Sequence, residues 1–189
     1  MNAARRLVAY HEAGHRVASY RLFPNRVRGR VTIVPDGDSA GHTFEEGMWQ
    51  TDSTSIERQV VILYAGAVAE LRLDRSRVEE IRAGARHDDA VAERLLGGIG
   101  LELEPKLRRR AAELVAEHWR EVRALAKELL RHQTLSGREA ELVCDAAAGG
   151  PNADQARRRL KRYRALWNAS RASSSRRWLS WVSRPRSRA

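Results

Sequence analysis

Two histidines and a glutamate near the start of the chain form the pattern His-Glu-x-x-His at residues 11–15. Residues four apart share one face of a helix, so His11 and His15 can direct two imidazoles at a single point. That spacing suits a tetrahedral zinc ion bound through ring nitrogens. Glu12 is turned about 100° away from His11, which suits a general base acting on a water beside the metal. The pattern predicts the chemistry of a metallopeptidase.

Two core histidines beside a surface glutamate would give the same pattern without any metal. The neighbouring residues favour the metal, because apolar residues at helical spacing continue the line of His11 and His15: Leu7, Ala18 and Leu22. Both histidines therefore belong to the face that should be buried. Buried imidazoles one turn apart need polar partners, and a zinc ion supplies one.

The positive charge of the chain is concentrated at its C-terminal end. The formal net charge is +11 over 189 residues, and twelve of the 35 Lys and Arg residues lie in 155–189, which has no Asp or Glu. Residues 1–154 therefore hold 23 basic and 24 acidic residues. We expect a nearly neutral body followed by a basic tail.

Composition limits the class of protein. A hydrophobic fraction of 42% is enough for a core. The single cysteine, Cys144, excludes a disulfide framework within one chain and any thiolate-rich metal site, and it suits a reducing compartment. No apolar run of about 18 residues and no signal peptide are present, so we expect a cytoplasmic protein.

Hydrophobic periodicity and turn residues predict a mainly α (α+β) domain with one small β-hairpin. The hairpin should pair a strand at 27–34 with one at 40–45, and 78–86 should be a polar connection. The expected helices are 3–22, one beginning at the Thr54 capping box, 87–96, 105–132, one from Ser136 to Gly149, and 153–169. We predict that the chain has three parts, which are a domain over 1–150, a basic amphipathic helix over 151–170 and a basic, disordered tail over 171–189.

Three carboxylates each have two interpretations. Glu70 borders the apolar face of its helix, and it is either an edge carboxylate in solvent or an acceptor that orients a ligand histidine. Asp88 and Asp89 open a helix, where acidic residues are favoured electrostatically even without a functional role. The pattern alone leaves both questions open.

Several segments in this order resemble the peptidase domain of FtsH, the AAA+ zinc metalloprotease. The resemblance covers residues 6–145 and includes the form HEAGH at 11–15. The other matching segments are VTIVP at 31–35, AGHT at 40–43, AGAVAE at 65–70, GARHD at 84–88, LAKELL at 125–130 and TL at 134–135. The last two resemble the closing helices of the family domain.

The resemblance implies one zinc ion per chain. His11 and His15 would be ligands, Glu12 the base and Asp88 the third ligand, with Asp89 as the neighbouring alternative. Such a site leaves one tetrahedral position for water. The ATPase and the transmembrane anchor of the family are expected to be missing from this chain.

The expected substrates are unfolded proteins or peptides. An extended segment can add to the edge of the 40–45 strand, at Gly41, His42 and Thr43, by β-augmentation. A separate ATPase would be needed to deliver folded substrates. Proteins of the FtsH family assemble into rings, so the resemblance also implies a homo-oligomer.

Two rival functions remain. One is a catalytically silent, metal-stabilised interaction module. The other places the function in residues 155–189, where a basic amphipathic helix with Trp178 and Trp181 suits an anionic membrane surface or nucleic acid. The membrane alternative would make the protein peripheral at the inner face of the membrane. A solvated, disordered tail is the third interpretation of these residues.

Overall fold

The fold is mainly helical with a small antiparallel sheet, as the sequence predicts. We describe a computed structural model over residues 2–24, 29–35, 42–43 and 52–166. Its helices are α1 (Ala3–Leu22), α2 (Ser53–Leu73), α3 (Val78–Gly84), α4 (Arg86–Gly97), α5 (Glu104–Glu117), α6 (Trp119–His132), α7 (Gly137–Ala148) and α8 (153–166). None of the helices in these ranges is both long enough and apolar enough to cross a membrane.

Helices α1 and α2 cross at unusually short range and form the centre of the fold. A Cβ atom added at Gly14 would collide with the Ala65 carbonyl and come within 2.9 Å of the Ala69 Cβ. Only a residue without a side chain permits this approach. The crossing brings the His-Glu-x-x-His turn of α1 against the middle of α2.

The start of α2 corrects the predicted capping box at Thr54. Asp52 is the N-cap, and its Oδ1 accepts a hydrogen bond from the Ser55 backbone N–H at 2.9 Å. The helix therefore begins at Ser53. A carboxylate at this position satisfies a free N–H and also interacts favourably with the helix dipole.

Two further helix predictions were wrong. The predicted connection at 78–86 contains helix α3, in which Ile81 is buried. The single helix predicted over 105–132 is two helices joined at His118, whose φ of −100° and ψ of 22° are not helical. His118 Nδ1 lies 2.9 Å from Glu121 Oε1, and this contact fixes the corner where neither Gly nor Pro marks a break.

The sheet contains the predicted hairpin and one additional strand. Strand β1 (Arg30–Thr32) pairs antiparallel with β2 (His42–Thr43), as predicted, and also with β3 (Thr134–Ser136). The order is β2-β1-β3, with Val31 opposite both Thr43 and Leu135. The resemblance assigned 134–135 to a closing helix, which was wrong. Gln133 has a φ of 65° and ends α6, so the chain leaves the helix directly into the strand.

The basic helix α8 packs on α6 and α7. Ala153 and Ala156 are buried, and the Tyr163 hydroxyl lies 2.8 Å from Ser136 Oγ. Arg164 donates to Glu128 at 2.6 Å and to Glu139 at 2.7 Å, so it links the two helices. The division between a domain and a separate basic helix stays a prediction, and residues 167–189 lie outside the described ranges.

Candidate metal centre

Three predicted ligand side chains converge on one point between α1, α2 and α4. His11 Nε2 lies 2.9 Å from His15 Nε2, and Asp88 Oδ2 lies 3.1 Å and 3.2 Å from these two nitrogens. The three residues form a group able to hold a metal ion, with the candidate ligand atoms within 4.8 Å of one another. Helix α1 supplies both imidazoles and the first turn of α4 supplies the carboxylate.

The geometry and the donor atoms fit zinc. Tetrahedral zinc with bonds of about 2.0–2.1 Å holds its ligand atoms roughly 3.3 Å apart. The observed separations of 2.9–3.2 Å are close to that value. Two imidazole nitrogens and one carboxylate oxygen are also a donor set that zinc accepts, and three protein ligands leave a position open.

Both imidazoles are oriented by a partner on α2. His11 Nδ1 lies 2.9 Å from Glu70 Oε2, and His15 Nδ1 lies 2.8 Å from the Ile62 carbonyl oxygen. A carbonyl or carboxylate at Nδ1 accepts the ring proton and leaves the Nε2 lone pair for a metal. Glu70 is buried and contacts His11, so the structure favours the interpretation in which it orients that histidine over an edge carboxylate in solvent.

Gly66 provides the space for the two rings. A Cβ atom added there would lie 2.6 Å from His15 Nε2 and 2.9 Å from His11 Cε1. Atoms at these distances overlap, so a side chain on this turn of α2 would displace the imidazoles. Gly66 stands inside the AGAVAE segment at 65–70 but was not among the predicted site residues.

Asp88 and Asp89 have different surroundings. The Asp88 side chain is 17% exposed and faces the histidines, whereas that of Asp89 is 42% exposed and accepts from Arg108 Nη2 at 3.0 Å. Arg108 on α5 also donates to Glu104 at 2.8 Å, and its guanidinium carbon lies 4.0 Å from the ring centroid of Tyr64. The first turn of α4 is thereby tied to α5 and α2. Arg108 was not among the predicted site residues, because its partners come from three helices.

The cluster is electrostatically coupled. Burial lowers the pKa of His11, but hydrogen bonds with Asp88 and Glu70 outweigh it and raise the pKa to about 10. The pKa of His15 is also raised, because Asp88 and Glu12 outweigh the opposing effects of burial and His11. Burial raises the pKa of Asp88, yet the two imidazoles hold it well below its usual range. A metal that binds here must displace protons from the rings.

Of the remaining predicted residues, Glu12 lies on α1, and His42 and Thr43 lie on β2. Glu12 is only 4% exposed, and its charge reaches His15. His42 and Thr43 form β2, which stands at the outside of the sheet order within the described residues. Gly41 lies outside the described residues.

The sequence is similar to those of known zinc metalloproteases. The family model of peptidase family M41 matches residues 1–96. The chain is 36% identical over 88 residues to the ATP-dependent zinc metalloprotease FtsH 1 of Thermoanaerobacter sp. (strain X514), a match that covers 44% of this chain and 14% of that protein. It is 28% identical over 146 residues to the FtsH of Endomicrobium trichonymphae, which covers 72% and 21% of the two chains.

A third relative matches a longer stretch of this chain. The chain is 24% identical over 179 residues to the ATP-dependent zinc metalloprotease YME1L1 of Mus musculus, a match covering 76% of this chain and 25% of that protein. In these three comparisons the matched region spans between 14% and 25% of the relative's length. The similarity therefore concerns one part of each relative.

Proposed function

The chain belongs to peptidase family M41, and we propose that it is a zinc-dependent endopeptidase that hydrolyses peptide bonds in unfolded polypeptide segments. The observation that supports this most strongly is the convergence of His11 Nε2, His15 Nε2 and Asp88 Oδ2 within 3.2 Å of one another. The printed names of the relatives, which describe zinc metalloproteases, agree with the proposal.

In the proposed mechanism, His11, His15 and Asp88 would hold one zinc ion. Zinc bound there supplies Lewis acidity and lowers the pKa of a nearby water molecule towards about 7. Glu12 accepts the proton from that water as it attacks the scissile carbonyl. Glu12 then gives the proton to the leaving amine.

Groups behind the ligands keep the rings in position during this cycle. Glu70 and the Ile62 carbonyl each occupy one Nδ1, so neither ring can rotate without losing a hydrogen bond. Asp89 and Arg108 hold the turn that carries Asp88. We assign these groups to orientation, and we assign proton transfer to Glu12 alone.

We propose that the substrate binds as an added strand at β2, in the region of Gly41, His42 and Thr43. The position of β2 beside β1 alone, within the described residues, supports this. Backbone hydrogen bonds to a strand require an extended segment, so a folded substrate must first be opened.

The relatives are named ATP-dependent, and we propose that an ATPase delivers folded substrates to this domain. Assembly into a homo-oligomer belongs to the same proposal. An anionic membrane surface or nucleic acid as partner of residues 155–189, and with it a place at the inner face of the membrane, stays a prediction.

The proposed activity is tested with unfolded casein and the full chain. We expect one zinc per chain by elemental analysis, and cleavage that stops when a chelator removes the metal and returns when zinc is added. His15→Ala is the matched control, because two remaining protein ligands hold zinc poorly. A chain that binds zinc and cleaves nothing would contradict the proposal and favour a silent interaction module.

A further inference from the structure

A groove between α1 and α6 is unrelated to the metal centre. Its volume is about 810 Å³. Five cationic side chains line it: Arg6, Arg120, Arg123, Lys127 and Arg131. Its other lining residues are apolar or aromatic: Tyr10, Ala124 and Leu130. We call this surface the basic groove.

The charges of the basic groove are largely uncompensated within the protein. The part of the chain that the structure describes places no carboxylate in ion-pair contact with Arg120, Arg123 or Lys127, and all three are exposed. Arg131 does contact Glu128, at 3.0 Å. Like charges one turn apart destabilise a helix, so this arrangement opposes the stability of α6.

The positive charges follow the helical repeat. Arg120, Arg123, Lys127 and Arg131 come once per turn along one face of α6, over about 16 Å of helix axis. A facing helix with a carboxylate on each successive turn has the same spacing. Between the charges, the side chains of Ala124 and Leu130 offer apolar contact.

Tyr10 is the one aromatic residue among the described residues that line the basic groove, and it is largely buried. The Tyr10 ring lies 5.6 Å from the Trp119 ring, centroid to centroid, and the Arg6 guanidinium carbon lies 5.9 Å from the Tyr10 centroid. The apolar surface that the groove offers to a partner therefore comes mainly from Ala124 and Leu130, which are half-buried.

We propose that the basic groove binds an acidic amphipathic helix of a partner polypeptide. Carboxylates on successive turns of that helix would pair with the cations of α6, and its apolar side chains would cover Ala124 and Leu130. A phosphate backbone would use the cations but leave the apolar lining uncovered. A flat bilayer would contact projecting groups and leave a concave groove unfilled. Charge complementarity and shape therefore both favour the helix.

The lysines of the chain provide a direct test. The sequence contains three lysines: Lys106, Lys127 and Lys161. The probe is a synthetic 18-residue helical peptide with glutamates at every fourth position and leucines between them. It is mixed with the full chain, and a carbodiimide then joins its carboxylates to nearby amines without a spacer.

Mass spectrometry of the joined products reads out the position. We expect most of the product at Lys127, and little at Lys106 or Lys161. Lys106 is 60% exposed on α5, so it reports reaction without docking. Lys161 lies on α8 and reports attraction to the basic tail. Product at Lys161 alone, or equally at all three lysines, would overturn the proposal.

Affinity measurements with matched variants give an independent test. Arg123→Glu combined with Lys127→Glu should weaken binding of the labelled peptide by about tenfold or more in fluorescence anisotropy. Arg109→Glu combined with Arg110→Glu makes the same change of charge on α5, outside the groove, and should weaken binding by less than about threefold. A peptide with glutamine in place of each glutamate should bind poorly to every variant.

Circular dichroism decides whether the charge-reversed variant is folded, and Arg123→Gln with Lys127→Gln replaces it if it is not. Equal losses in the groove and α5 variants would overturn the proposal. It would also be overturned if the groove variant lost binding to duplex DNA or phosphatidylglycerol vesicles but kept the peptide. Concentration-dependent self-association that only the groove variant abolishes would make a second copy of this chain the occupant instead.

Discussion

Glu70 Oε2 lies 2.9 Å from His11 Nδ1, so a carboxylate of α2 holds an imidazole of α1. The contact joins residues 59 positions apart in the chain and sets which ring nitrogen faces the metal centre. The burial of Glu70 and its position at the edge of the apolar face of α2 do not by themselves require its carboxylate to contact His11. The contact places Glu70 behind His11, on the side of the ring away from Asp88.

The first prediction follows from that contact. Glu70→Ala should weaken zinc binding by about 10–100-fold, because His11 loses the group that fixes its tautomer. Glu70→Gln should have a smaller effect, since the amide oxygen can still accept the Nδ1 proton. Competition with a chromophoric zinc chelator measures both. Glu57→Gln, on the same helix, is the control, and an equal effect there would exclude a specific role for Glu70.

Gly66 gives a prediction that separates stability from metal binding. Gly66→Ala gains helix propensity of up to about 1 kcal/mol, but the new methyl group overlaps the His15 ring. We expect the melting temperature to change little while zinc affinity falls by about tenfold or more, since the ring must move. Gly97→Ala, where an added Cβ meets no atom within 4 Å, should leave zinc affinity unchanged. Normal zinc binding by Gly66→Ala would show that the rings are not held as described.

Asp88 and Asp89 should differ sharply when each is changed to asparagine. Asp88→Asn should lower the affinity for zinc by about 100-fold or more, because an amide oxygen is a poor ligand for zinc in this donor set. Asp89→Asn loses only its charged contact with Arg108 at the surface, so its zinc affinity should stay within about threefold. Elemental analysis and chelator competition check both variants. The reverse order would make Asp89 the ligand.

Zinc uptake should release protons. The pKa of His11 is raised to about 10 by Asp88 and Glu70, so the His11 ring is positively charged at neutral pH before metal binds. The pKa of His15 is raised as well, through Asp88 and Glu12. Zinc needs the neutral rings, so its affinity should increase with pH through the neutral range and level off near the pKa of His11. At pH 7.5 we expect about one proton released per zinc, from His11. Calorimetry in buffers of different ionisation enthalpy counts them, and a count of zero would contradict the coupling.

The elements of the fold that depend on neighbouring residues in the chain were predicted from the sequence. Helix α1 was predicted at its observed bounds because its apolar repeat is continuous, and the pairing of β1 with β2 followed from the turn residues between them. The Ser136 capping box was also correct, since Ser136 Oγ accepts from the Glu139 backbone N–H at 3.2 Å. Each of these signals acts over a few neighbouring residues.

The features that were missed depend on distant partners. Thr134–Ser136 is too short to be recognised as a strand until β1 lies beside it. The break at His118 depends on contacts that no proline or glycine announces. In the candidate site, the spacing of the two histidines could be recognised because both lie on one helix. The close approach of their rings to Gly66, and the contact of Arg108 with Asp89, each involve two different helices and could not be recognised.

Glu12 carries the central claim, because it alone is assigned to proton transfer and not to metal binding. The decisive measurement is bound zinc and casein cleavage on the same preparation of Glu12→Gln. We predict one zinc per chain, as in the unaltered protein, with cleavage reduced by about 10²-fold or more, because the amide cannot accept the proton. Loss of zinc together with activity would make Glu12 a ligand, and cleavage at the unaltered rate would contradict the proposed mechanism.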